Sequence, residues 1–384
     1  MTSLLIVLAA ALSLAAALAA AFFRRRNAQI WIGAYFREGL RRGGGAAPRP
    51  VHVLFCVVDH YEPGWNGADL AMERARVATW LERYPEMAAG HRDADGRAPQ
   101  HTFFFPMEVY REEHLDRLAG LCRAGYGDVE IHLHHHADTA AALREKLVRF
   151  KTVLHERHGL LRRNPATGQV EYGFVHGNWA LDNAGPGGRN CGVDNELAVL
   201  RETGCYADFT LPAAPHPAQT RKINSIYYAT GAPGRSKSHD TGVDARVGSP
   251  PGGDLLLIQG PLCLNWRSRK LFLFPRIENG DVSGDNPPTP ERFDLWVRRG
   301  IHVQGRPEWV FVKVHTHGAN EKNVEALLGE PMRRTLSYAE RYNDGGAYRL
   351  HYVTAREMYD LVKAAEAGAG GDPGAVLKRL RESK

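Results

Sequence analysis

Two periodicities alternate along the chain. Short apolar runs rich in β-branched or aromatic residues, VHVLFCVV (51–58), HTFFFP (101–106), ADFTLPA (207–213), EWVFVKV (308–314) and YRLHYVT (348–354), have the length and composition of strands. Between them lie stretches with helical spacing: Leu70 to Tyr84, Glu112 to Gly125, Thr139 to His158, Glu196 to Thr203 closed by Gly204, Pro290 to Gly300, and one starting near Ala355. The clearest is Thr139 to His158, whose apolar positions are Ala142, Leu143, Leu147, Phe150, Val153 and Leu154. Strand and helix alternate through about seven repeats, which predicts an α/β domain of parallel strands. Thr230 to Asp254 and Glu278 to Pro290 break the pattern and read as long loops over one face.

The most polar strand end is VEIHLHHHAD (129–138). Side chains alternate along a strand, so Val129, Ile131 and Leu133 share one face while His132, His134 and His136 fall on the other. Three imidazoles would then converge, and neutral imidazole is a common ligand for zinc and similar divalent ions. A solvated His-rich loop is the plain alternative, but a β-branched run before it and an amphipathic helix after it argue for a built site. Asp138 fits two roles, cap of the following helix or metal ligand. Two further polar clusters, DHYEP (59–63) and HTHG (315–318), also end apolar strands, and Phe311, Lys313, His315 and His317 share a face. The C-terminal ends of parallel strands build active sites, so the three clusters should meet on one rim. Asp, Glu and His with no nucleophilic Ser or Cys motif fit metal-assisted hydrolysis.

Composition narrows the choice. The 384 residues, 43% hydrophobic, can bury a large core. Five scattered cysteines, Cys56, Cys122, Cys191, Cys205 and Cys263, form no CxxC pair, so a disulfide framework or thiolate site is not indicated. The formal charge of +6 is concentrated in Arg24, Arg25, Arg26, Arg37, Arg41 and Arg42 and reads as a membrane signature, with no nucleic acid partner. Leu4 to Phe23 is a 20-residue uncharged run, apolar except for Ser13, long enough to cross roughly 30 Å of hydrocarbon. The expected organisation is a transmembrane anchor with its arginine flank over 1–26, a juxtamembrane linker over 27–50, a catalytic domain over 51–367 and a basic extension over 368–384. The positive-inside rule places the domain in the cytoplasm, with a periplasmic or secreted location as the alternative.

The order of the polar clusters resembles the polysaccharide deacetylase superfamily, the NodB-like carbohydrate esterases, from about Val51 to Thr354. That resemblance implies an irregular (β/α)7 barrel. It makes Asp59 of Val58-Asp59-His60 the general base and His60 a metal ligand in place of the family's second aspartate. EIHLHHHAD is similar to the second motif and supplies His134 with either Asp138 or His136 as ligands. FVHGNWALDN (174–183) stands where the family has an arginine-containing loop; the arginine is missing, His176 falls near its place, and His176, Asn178 and Trp179 become the substrate-contacting candidates. ELAVLRETGCYADFTLPA (196–213) looks like the family's helix, turn and strand. Val314-His315 is similar to the general-acid motif, with His317 beside it as a further catalytic candidate. The resemblance implies a divalent ion, zinc first and manganese, cobalt or nickel as alternatives. It implies an N-acetylated glycan as substrate and proteins of polysaccharide biosynthesis as partners. Another amide, ester or glycoside hydrolase on the same barrel, or a non-catalytic saccharide binder, are the rival expectations.

Overall fold

The computed structural model describes residues 6–7, 10, 13, 17, 20–41, 49–270 and 274–382. In chain order the helices are α1 (Ile32–Arg41), α2 (Leu70–Ala88), α3 (Glu112–Arg123), α4 (Ala140–Thr152), α5 (Glu196–Glu202), α6 (Pro290–Arg298), α7 (Glu321–Leu328), α8 (Glu330–Ala339), α9 (Ala355–Glu366) and α10 (Pro373–Glu382). The strands are β1 (Val51–His60), β2 (His101–Pro106), β3 (Gly127–Leu133), β4 (Arg162–Arg163), β5 (Val170–His176), β6 (Cys205–Asp208), β7 (Ile226–Ala229), β8 (Val243–Asp244), β9 (Leu255–Ile258), β10 (Cys263–Lys270), β11 (Phe274–Glu278), β12 (Trp309–Thr316) and β13 (Tyr348–Tyr352).

Among the described residues, eleven strands form one mostly parallel mixed sheet in the order β12-β1-β2-β3-β5-β6-β9-β7-β8, with β13 on β1 and β4 on β5. Strand β12 follows one edge of β1 from His52 to Asp59. The other edge is divided, since β13 pairs with Val51–Phe55 and β2 with Val57–His60. β10 and β11 form a separate antiparallel hairpin that the sequence pattern did not reveal. Glu278 to Pro290 does more than cross a face: Gly280 and Val282 exchange backbone hydrogen bonds with His315, which covers the outer edge of β12.

Parallel strands are buried on both faces, which is why β1 and β12 read as nearly continuous apolar runs. Val53, Phe55 and Val57 pack with Trp80, Leu118, Leu147 and Trp296 of the covering helices, while Leu54, Cys56 and Val58 face Phe104, Phe311, Met358 and Leu361. We call these the outer and inner faces. The inner face is plugged by α9, whose start is fixed by a Thr354–Glu357 capping box, and by α10.

Both terminal segments are ordered more than the sequence pattern suggests. Within the expected linker, Trp31 is fully buried against Ala214, Ile223, Leu262 and Leu264. Within the expected extension, α10 buries Leu377, and Arg381 bonds Glu357 at 3.0 Å. Most of the Leu4 to Phe23 run lies outside the described residues. Among the described residues no helix is long and apolar enough to cross a membrane.

Candidate metal centre

Strand parity builds the site. Even-numbered positions of β1 and β3, and odd-numbered ones of β12, face inward, so His60, His132 and His315 project from the inner face at the C-terminal end of the sheet. The His60 ring centroid lies 4.9 Å from that of His132, 6.3 Å from His315 and 4.6 Å from His317. Glu62, two residues past the end of β1, joins them, and ligand atoms of His60, Glu62 and His132 all lie within 4.8 Å of one another.

The hydrogen-bond pattern leaves lone pairs facing a carboxylate. His132 Nδ1 lies 2.7 Å from the Val175 carbonyl, which can only accept, so this nitrogen carries the hydrogen. His132 Nε2 then points at Glu62 Oε1, 3.3 Å away. His134 repeats the arrangement: Glu108 accepts both its backbone N–H, at 2.8 Å, and its Nδ1 proton, which leaves Nε2 3.7 Å from the same Glu62 oxygen. A carboxylate that fixes the far nitrogen of an imidazole is the usual support for a metal-binding histidine. His60 Nε2 is buried without a partner. These contacts close only with extra protons on the rings or with a cation among them.

Electrostatics divide the rings, favouring the neutral form at His60 and the protonated form at His134. Burial, with the neighbouring His317, His132 and His315, holds His60 well below the usual histidine range, so its imidazole is neutral and free to ligate. Burial raises the Glu62 carboxyl, but the His132 hydrogen bond and the charges of His132, His134 and His317 outweigh it and hold it down. For His134 burial lowers the pKa, and the Glu108 hydrogen bond with the Glu62 and Glu108 charges raises it overall. His315, behind the cluster, is held well below its usual range by burial and by Lys313, and its Nδ1 has no partner.

The mouth is aromatic. Trp179 stands 6.1 Å from the His60 ring and 6.0 Å from His317, and Trp65, 45% exposed, stands 6.3 Å from His317. The Trp179 loop passes so near His134 that a Cβ on Gly177 would lie 2.4 Å from His134 Cδ2. His317 lies between the two indoles, half-buried, its pKa lowered by burial against the pull of Glu62 and Asp59.

Several expected site residues lie elsewhere. Asp59 is one residue out of phase with His60 and faces outward, where Oδ2 takes His101 Nε2 at 2.8 Å and Oδ1 takes the Gly318 N–H at 2.6 Å. His136 is exposed, and its Nδ1 accepts the Asn190 N–H. Asp138 does not cap α4, a role taken by Thr139; its carboxylate meets Lys146 at 2.7 Å and His135 at 3.3 Å. Asn178 is exposed on the loop before Trp179, and His176 is wholly buried on the outer face. There His135, His176, Cys191 and Glu196 form a second buried group that can hold a metal ion. Of the residues that the ligand assignment passed over, His132 was marked by its strand parity and Glu62 by its place in DHYEP. Glu108 and Trp65 carried no local signal.

A cavity of about 1040 Å³ lies at the opposite end of the sheet, among Val51, Arg221, Lys222, Val310 and Tyr348. It gathers neither of these two imidazole clusters, which lie at the C-terminal rim and on the outer face. The chain matches no protein-family model and no curated protein.

Proposed function

We propose that the protein is a metal-dependent hydrolase whose divalent ion is held by His60, Glu62 and His132, with His134 beside them, and that it deacetylates N-acetylated sugars of a polysaccharide or glycan precursor. The observation that carries this is the convergence of His60, Glu62 and His132, whose ligand atoms lie within 4.8 Å of one another, with His134 Nε2 3.7 Å from the same Glu62 oxygen and His60 Nε2 buried without a partner. Imidazole and carboxylate donors suit zinc, and manganese, cobalt and nickel accept the same set. Such an ion polarises a carbonyl and lowers the pKa of water toward roughly 7.

The protein's own groups supply the rest. Glu108 holds the His134 tautomer. His317, half-buried beside both indoles, is the group placed to pass a proton between water and the leaving amine. Asp59 serves it indirectly, through the Gly318 N–H that fixes the turn after His317. Trp65 and Trp179 offer two apolar faces on either side of the reacting position, a mouth suited to a pyranose ring.

An irregular (β/α)7 barrel is the architecture we infer for the curved sheet. Its support is Lys313 of β12, whose Nζ donates to the carbonyls of Phe209 and Leu211 at 2.6 Å each and so ties β12 to the segment after β6. Anchoring through Leu4 to Phe23 and association with polysaccharide-building proteins remain part of the proposal. The test is metal content of the full chain together with acetate release from N-acetylglucosamine oligosaccharides. Bound metal that falls by one equivalent in His132→Ala, together with loss of acetate release in that variant, supports it. Metal without hydrolysis of any amide, ester or glycoside would point to a saccharide-binding protein instead.

A further inference from the structure

Consecutive residues His134 and His135 point to opposite faces of the sheet, and the second leads to a different cluster. His135 Nε2 lies 3.0 Å from Glu196 Oε1, and His176 Nε2 lies 3.4 Å from the same oxygen. Cys191 Sγ lies 3.5 Å from Glu196 Oε2. None of the four is more than 6% exposed, and their ligand atoms fall within 4.8 Å of one another.

As hydrogen bonds alone the cluster does not close. His176 Nδ1 is committed to the Gly177 carbonyl at 2.5 Å, so Nε2 presents a lone pair, and it has no hydrogen-bond partner. Glu196 Oε2 is already taken by the Asp182 N–H at 2.6 Å. The Cys191 sulfur accepts the Val193 N–H at 3.4 Å, and burial beside Glu196 pushes its thiol up, so that a thiolate here would need a cation next to it. His135 Nδ1 sits 3.3 Å from Asp138 Oδ2, the outer carboxylate expected behind a ligating imidazole. By contrast the group His52, His351 and Asp372 at the far end of the sheet is internally bonded, His52 Nδ1 to His351 Nε2 and His351 Nδ1 to Asp95, both at 2.9 Å.

We propose that His135, His176, Cys191 and Glu196 form a second, closed metal site for zinc, separate from the rim site, which pins the loop from Gly177 to Cys191. Two imidazoles, a thiolate and a carboxylate complete a tetrahedral set without water, the composition of a structural rather than a catalytic zinc. The loop needs such a fastening. Asn178, Trp179, Asp182, Asn183 and Asn190 all hold left-handed backbone, with φ between 53° and 67°. Asn and Asp tolerate that conformation, so Trp179 is the residue whose backbone most needs its surroundings to fix it. The same loop carries Trp179 over His60, so the buried ion would set the shape of the mouth.

The two sites separate spectroscopically, because the rim site contains no sulfur. The full chain, freed of metal with chelator and reloaded with cobalt(II) alone, should take up two equivalents and show a thiolate-to-cobalt charge-transfer band. Cys191→Ser should remove the band and one equivalent. His132→Ala should remove one equivalent and keep the band. If Cys191→Ser does not fold, Cys191→His should restore the fold and both equivalents without the band. A wild-type protein that binds cobalt with no thiolate band, or a band that survives loss of Cys191, overturns the second site. A band accompanied by a single equivalent keeps the second site and removes the ion from the rim.

Discussion

Asp59 Oδ1 accepts the backbone N–H of Gly318 at 2.6 Å, which ties the end of β1 to the turn that carries His317. The turn is held from its other side by Trp80, whose indole N–H donates to the Gly318 carbonyl at 2.8 Å. A Cβ at this position would stand 2.1 Å from Asp59 Oδ2 and 2.4 Å from Trp80 Cζ2. Gly318→Ala should therefore destabilise the fold by about 1–3 kcal/mol, read from the denaturant midpoint. It should also lower kcat through displacement of His317.

Proton transfer separates His317 from Asp59. His317→Ala should lose roughly 10²-fold to 10⁴-fold in kcat with metal retained. Asp59→Asn can still accept the Gly318 N–H, so its loss should fall well short of that range. Equal losses in the two variants would restore Asp59 as the base.

Metal content distinguishes the histidines of the 129–138 run. His132→Ala and Glu62→Gln should each deplete the rim ion, whereas His136→Ala, whose ring is turned to Asn190, should leave it unchanged. Metal analysis after dialysis against buffer decides this, and depletion by His136→Ala would move the centre.

The indole pair should act on binding rather than chemistry. Trp65→Ala and Trp179→Ala each remove one stacking face, worth about 0.5–1.5 kcal/mol, so KM for an oligosaccharide should rise roughly 2-fold to 10-fold. A small activated acetyl ester, which needs no stacking, should show little change.

Stability should depend on acid through Glu357. Burial raises its carboxyl, but Arg97 and Arg381 outweigh that and bring it from 4.5 to about 2. A carboxylate depressed on folding stabilises above its unfolded pKa and loses that contribution as pH falls toward its folded one. The protein should lose on the order of 3 kcal/mol between about pH 5 and 2, and Glu357→Gln should remove that acid-dependent part. Urea titrations at several pH values check it.

Much of this was legible before the fold was known. Parity within β3 assigned Val129, Ile131 and Leu133 to the core and His132 to the site, and the structure keeps that alternation. It carries on to His134, whose ring lies 4.5 Å from that of His132, and fails at His136, because the strand stops at Leu133 and Ala137 takes a left-handed conformation, φ 49°. The resemblance joined Asp59 and His60 in one centre, but neighbours on a strand face apart, and the Asp59 carboxylate turns to His101 and Gly318. The burial of Trp31 and Leu377 was not legible, because it depends on partners far away in sequence. Glu108 was hidden for the same reason, being 26 residues from the histidine that it orients.

The peptide between His134 and His135 is a crossing point with one imidazole on either side. If His134 were deleted, His135 and His136 would each move back one place, and both addresses would still receive a ring. Both places present a carboxylate to Nδ1, Glu108 at one and Asp138 at the other, so each would hold its new ring in the same way. Redesign of the rim for another ion therefore has to begin by holding this peptide plane still, since any rotation that improves one pocket detunes the other.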